Sequence, residues 1–248
     1  MKGSPCCPWL PIERTTKRAS ETELKPISDL GDNGRLIIDM SYVLVVRDKD
    51  GKVVEVKTGK AHSFLQNFMQ ILYGMFYAGT GSSPNASGNV VDLSGNSMEY
   101  PIMASAPGNT YLPLGFTITP SSSSAYIGIV VGSGSTTNSP STYNLASPIT
   151  NGSGSDQLTY GSQSINAVQC SNSTPYSCSF QVTRSFTNNG SSAVTVSEIG
   201  LVAETAVTSS SSGNTIDSVL IARDLVGSVT VNPGGSLTVT YVISLSIS

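Results

Sequence analysis

Leu237-Thr238-Val239-Thr240-Tyr241-Val242-Ile243-Ser244-Leu245-Ser246-Ile247 decides the fold class. Its odd positions are all apolar, and its even positions are Ser or Thr apart from Val242. Successive side chains of a strand point to opposite faces, so this period of two gives a β-strand with one face on a core and one wetted by hydroxyls. Just upstream, Ser228 to Val231 leads into Asn232-Pro233-Gly234-Gly235. Pro233 suits the first corner of a turn and Gly234 a positive φ at the second, which predicts a hairpin.

Working outward, Phe180 to Phe186 and Val194 to Leu201 flank Thr187-Asn188-Asn189-Gly190-Ser191-Ser192-Ala193, a second hairpin signal. Folding about Gly190 sets Phe180, Val182, Arg184, Phe186, Val194, Val196 and Glu198 on one face. Arg184 and Glu198 then lie diagonally opposed in an apolar register, which predicts a partly buried ion pair, since either charge alone is costly to bury. Leu36 to Val46, the turn Arg47 to Lys52, and Val53 to Val56 give a third hairpin. Long Gly/Ser/Asn-rich loops, clearest at Thr80 to Asn89, Ser133 to Thr142 and Asn151 to Ser155, separate the short strands after Tyr77.

One helix is expected, near 62–77. Phe64, Leu65, Phe68, Met69, Leu72, Met75 and Phe76 recur at three and four, Ser63 is available as N-cap and Gly79 follows the end. Such a stripe packs under a sheet, or it enters a subunit interface through Phe64, Phe68, Leu72 and Phe76. Residues 1–34 alternate prolines, charges and Ser/Thr with few apolar residues, the pattern of an extended N-terminal arm that does not pack on its own. The expected organisation is that arm followed by a β-sandwich over 35–248: mainly β, antiparallel and jelly-roll-like.

Charge is distributed unevenly. Of 248 residues 12% are charged, the net charge is −3, and after Lys60 the only cations are Arg184 and Arg223. Counterion-driven nucleic-acid binding needs clustered Lys and Arg, so no nucleic-acid partner is expected. No segment has the apolar length of a membrane span. Met1 to Pro5 runs into Cys6, Cys7 and charges rather than a leader pattern, so the chain is expected to be made and assembled in the cytoplasm, or to be an already processed one.

Little chemistry can be arranged from these residues. His62 is the single histidine, with no nucleophile elbow near it. The acids Asp92, Glu99, Asp156, Glu198, Glu204, Asp217 and Asp224 meet no glycosidase spacing, and Asp217 with Asp224 makes no calcium loop. No metal or cofactor is expected, and the chain reads as non-enzymatic. Cys170 and Cys178 flank Ser-Asn-Ser-Thr-Pro-Tyr-Ser, a turn able to bring the sulfurs together as a disulfide; two free thiols is the other reading. Sequons occur at Asn85, Asn151, Asn172 and Asn189.

Several segments carry a resemblance. Tyr126 to Gly134, Ser139 to Ile149, Val194 to Leu201, Leu220 to Asp224 and Val229 to Tyr241, in that order, resemble the wording of many phage and archaeal-virus structural proteins, and Val53 to Phe68 also fits. The resemblance spans roughly Leu36 to Ser248. It implies a virion component of tail, baseplate, vertex or capsid-surface type, assembled in the host cytoplasm as a homo-oligomer with other virion proteins, and presenting polar loops to solvent or a host receptor. It implies no active site. The rival expectation is an extracellular filament subunit or adhesin assembled by strand exchange.

Overall fold

The computed structural model describes residues 36–61, 64–77, 89–99, 105–106, 110–111, 116–120, 126–171, 173, 176–209 and 213–247. The chain divides into two compact units, Met1–Arg35 and Leu36–Ser248. The first, where the arm is expected, lies outside the described residues, as do His62, Asn85 and Asn172.

In chain order the second unit contains β1 (Leu36–Arg47), β2 (Val53–Ala61), α1 (Gln66–Tyr77), β3 (Asn89–Val91), β4 (Ser97–Glu99), β5 (Ser105–Ala106), β6 (Thr110–Tyr111) and β7 (Phe116–Thr117). There follow β8 (Gly128–Gly132), β9 (Thr159–Ile165), β10 (Gln169–Ser171), β11 (Tyr176–Thr187), β12 (Val194–Ser209), β13 (Gly213–Val231) and β14 (Ser236–Ile247). Sheet A runs β10-β11-β14-β1-β2, with β9 also against β11. Sheet B runs β13-β12-β4-β3, with β7 and β8 also against β12, and β5 with β6 makes a separate ribbon. The strands of both sheets pair antiparallel, and the sheets pack face to face as a β-sandwich.

The strand ending the chain behaves as its alternation requires. β14 lies in the middle of sheet A between β1 and β11, and Leu237, Val239 and Tyr241 are wholly buried. The inward face fades towards the C-terminal end, where Leu245 is exposed. Met40, Tyr42, Leu44 and Val46 of β1 and Val182 and Phe186 of β11 complete the layer from sheet A and share one core with Ile129, Ile199, Leu201 and Val229 of sheet B. Burying one large apolar side chain of this kind contributes about 1.5–3 kcal/mol.

Two of the three expected hairpins are not hairpins. β11 belongs to sheet A and β12 to sheet B, so residues 188–193 carry the chain from one layer to the other. β13 belongs to sheet B and β14 to sheet A, so Asn232 to Gly235 is a second crossing, although Gly234 does have the expected positive φ of 76°. The crossings lie side by side and are locked through Asn188. Its side-chain amide donates to Ser192 O and Val231 O at 2.8 Å, its Oδ1 accepts from Gly190 N, and its backbone exchanges bonds with Gly234 and Gly235. Turn chemistry fixes a local reversal; it does not say whether the outgoing strand rejoins the same sheet. The first hairpin, β1 with β2, does form.

The helix starts later than expected, at Gln66. Phe64 makes a β-bridge to Ala222 and Leu65 N–H donates to Ile221 O at 2.9 Å, so the chain before the helix runs along the edge of β13. Leu65, Asn67, Ile71 and Gly74 face inward. Phe64 and Phe68 stack with ring centroids 4.1 Å apart and pack on the core, and Leu72 is half-buried. The side chain of Phe76 lies outside the described residues. Phe64 and Phe68 of the stripe pack on their own sandwich, while Met69, Tyr73 and Met75 are exposed.

Candidate functional site

The buried charges were expected to form one pair, Arg184 with Glu198. They form two separate constructions, because the strands that carry them lie in different sheets. Glu198 pairs with Arg223, whose Nε lies 2.6 Å from its Oε2, and both side chains are buried. Glu198 Oε1 also accepts from the N–H groups of Gly134 at 3.0 Å and Ser147 at 2.8 Å, and Oε2 from Ala146 at 3.1 Å. Arg223 Nη1 donates to Asn138 Oδ1 at 2.6 Å, and the Asn138 amide returns a bond to the Arg223 carbonyl.

Neighbouring Asp224 turns towards sheet A, where Tyr241 donates to its Oδ2 at 3.1 Å. Side chains alternate along a strand, so Arg223 and its partner Glu198 lie on the outer face of sheet B. The chain from Gly132 to Ile149 roofs that face, held by Ser133 N to Ser147 O and Ile149 N to Val131 O as well as by the carboxylate. The roof explains why β8 and the middles of β12 and β13 are buried at consecutive positions rather than alternate ones. Within the loop at Ser133 to Thr142, Gly134 and Asn138 bind the charge pair, while most of its other residues are exposed.

Arg184 sits on the opposite layer. Its Nε donates to Gly161 O at 3.0 Å and its Nη1 to Ile127 O and Ile129 O at 2.8 and 3.0 Å, so a sheet A side chain holds the start of β8 in sheet B. The guanidinium lies 4.8 Å from the Tyr160 ring centroid and 5.9 Å from that of Phe186, close enough for cation–π attraction. Burial pushes its pKa down, against the pull of Tyr160. The Tyr160 hydroxyl donates to Ile149 O at 2.6 Å, and burial pushes it up to about 12. Burial, then the Asp224 carboxylate, raises Tyr241 well above its ordinary value.

The acids considered for catalysis are thereby accounted for in part. Glu198 and Asp224 are tied as described, and Asp92 caps its own turn. Burial alone would raise the Asp92 pKa, but bonds from Asn96, Ser94 and Gly95 outweigh it and hold the carboxyl below its usual value. Among the described residues no three His, Cys, Asp or Glu side chains gather to hold a metal. Asp217 and Asp224 stand opposite Thr205 and Ile199, seven residues apart on β13, and do not converge.

An open cleft of about 570 Å³ lies against the roof, lined by Thr136, Ser139, Thr142, Tyr143 and Asn144 with Arg223 at its floor. Arg223 Nη2 has no hydrogen-bond partner among the described residues, but it is sealed from solvent, so the cleft does not present it to a ligand. Cys170 and Cys178 face each other across β10 and β11 and are joined as a disulfide. Among the sequons, Asn189 is exposed and gives its amide to Thr159, while Asn151 accepts from Tyr160 N–H.

The least protected feature is the β2 end of sheet A. Val53, Val54 and Val56 are 42%, 55% and 58% exposed, and the outer side of β2 has no strand partner among the described residues. Gly59 lets the Tyr42 ring lie across the strand, since a Cβ there would come within 2.3 Å of the tyrosine hydroxyl. Among the described residues no helix is long and apolar enough to cross a membrane. Comparison with protein-family models, with curated proteins and with solved structures finds no match for the chain.

Proposed function

We propose that this chain is a non-enzymatic structural subunit whose work is to assemble with copies of itself, as a capsid, vertex or tail component of a virion. The observation that carries the reading is the open β2 edge with its exposed valines, on a sandwich whose interior charges are engaged in holding its own layers and roof. A nine-residue strand with unpaired backbone groups is a template for another strand, and folded proteins ordinarily guard such edges. The virion setting rests on the resemblance of residues 36–248 to phage and archaeal-virus structural proteins. In that setting residues 1–33 cross to a neighbour and complete the assembly, and the hydroxyl-rich loops face solvent or a host receptor.

Sedimentation of the full chain beside a truncation lacking residues 1–33 tests this. The full chain is expected to form a discrete oligomer, and the truncation to remain folded and stop at a smaller assembly that β2 alone can make. A full chain that stays monomeric at every concentration contradicts the proposal.

A further inference from the structure

The edges of the sandwich are treated unequally. β3 is three residues long, and the Asn67 amide satisfies both the N–H and the C=O of Val91 at 2.8 Å. The middle of β13 is covered by the Phe64 bridge and the Leu65 bond. β10 has three residues and is stapled to β11 by the disulfide, and β9 gives the Tyr160 N–H to Asn151. Among the described residues β2 offers a nine-residue edge with no strand partner on its outer side. Its register irregularity is confined to the turn end, between Val46 and Arg47, and it contains no proline.

Lysine is a usual guard on such an edge, and β2 has Lys57 and Lys60. Yet Lys57 is matched two residues away by Glu55, and among the described residues neither joins an ion pair within the chain. The register with β1 puts Glu55 opposite Val46 and Lys57 opposite Leu44, both inward-facing residues, so the two charges share the inner face of the strand. Val56 and Thr58 share the outer face beside Val45 and Val43 of β1, and Val54 is the extra residue at the irregularity.

We propose that β2 pairs antiparallel with β2 of a second copy about a two-fold axis through Val56, joining the two A sheets into one. This rests on the self-assembly reading and names its contact. A two-fold axis perpendicular to a sheet pairs residues symmetrically about one position. With Val56 on the axis, Glu55 faces Lys57 of the second copy and Lys57 faces its Glu55, giving two cross-strand ion pairs on the inner face. On the outer face Val56 meets Val56. Moving the axis one residue sets Glu55 against Glu55 or Lys57 against Lys57, so charge selects one register from its neighbours. The single unfavourable approach, Lys60 near Lys52, falls at the outer end of the ladder. The outer valine row of β1 and β2 then continues across the axis and is covered along its open side.

Charge reversal in the full chain tests the register. Glu55→Lys alone, or Lys57→Glu alone, replaces both attractions with repulsions and is expected to weaken dimer formation about tenfold or more in a sedimentation-equilibrium series. The double variant, Glu55→Lys with Lys57→Glu, restores opposite charges across the axis and is expected to return the dissociation constant to within about threefold of the original. Unchanged thermal midpoints show that substitution at exposed Glu55 and half-buried Lys57 leaves the fold intact. Single reversals without effect on a chain that still oligomerises overturn the register and leave the self-assembly reading standing. Weakening that the double variant does not restore overturns the pairing of Glu55 with Lys57. A chain monomeric throughout overturns both.

Discussion

Sheet B is covered by sheet A on its inner face and by the roof on its outer one, whereas among the described residues sheet A is covered on one face and ends in a strand with no outer partner. Behind the roof of residues 132–149 lie Glu198 and Arg223, a buried pair whose carboxylate collects four hydrogen bonds. On the β2 edge lie Glu55 and Lys57, the same two charge types, exposed or half-buried and unpaired within the described chain. The difference is that one pair is neutralised within the chain, while under the self-assembly proposal the other is neutralised between copies. Charges that have solved their desolvation internally stabilise the subunit, and charges that have not are available for recognition between subunits.

The contrast breaks most severely at Glu198. Glu198→Gln leaves Arg223 buried beside a neutral amide and is expected to cost about 3–5 kcal/mol, a large part of a domain stability of about 5–15 kcal/mol. Chemical denaturation followed by circular dichroism measures it. Glu198→Gln with Arg223→Gln should cost less than the sum of the single changes, and strict additivity would show that the pair does not act as a unit.

Next is the junction of the two sheet crossings. Asn188→Ala removes three side-chain bonds and leaves Ser192 O and Val231 O short of a donor, which is expected to cost about 2–3 kcal/mol. A loss within the scatter of surface substitutions would mean that the crossings hold without it. Arg184→Lys keeps a positive charge but loses the planar fork that reaches three carbonyls, for an expected cost of about 1–2 kcal/mol.

The smallest effect is one of pH. Tyr160 is raised in the folded state to about 12, so its contribution is fully present below the ordinary tyrosine value near pH 10 and is lost as pH rises towards 12. Tyr160→Phe should flatten the alkaline fall of stability across that window, although its stability at neutral pH is lower through loss of the bond to Ile149. An unchanged alkaline slope would assign the fall to other groups, such as Tyr241.

Much of the sandwich is legible in the sequence, since alternation in Leu237 to Ile247 reports which face is buried. The disulfide is legible as a possibility, because a short turn-rich segment between Cys170 and Cys178 lets the thiols meet. The charge network is not legible, for a definite reason. Thr187 to Ala193 and Asn232 to Gly235 carry the same residues whether a chain reverses within a sheet or crosses to the facing one. Misreading the first as a hairpin assigns Glu198 to Arg184; its actual partner comes from β13, whose run of consecutive buried residues obscures the alternation. Asn67, which supplies missing strand bonds to β3 from a helix, is hidden among the stripe of apolar neighbours.

Hydrogen–deuterium exchange of the full chain over a concentration series tests the contrast between the sheets most directly. The outward-pointing amides of Val53–Ala61 are expected to slow as concentration rises, while those beneath the roof at Ile129 to Gly132 keep the same protection throughout. Exchange in β2 that is equally fast at every concentration would contradict the claim that this edge is closed by a second copy.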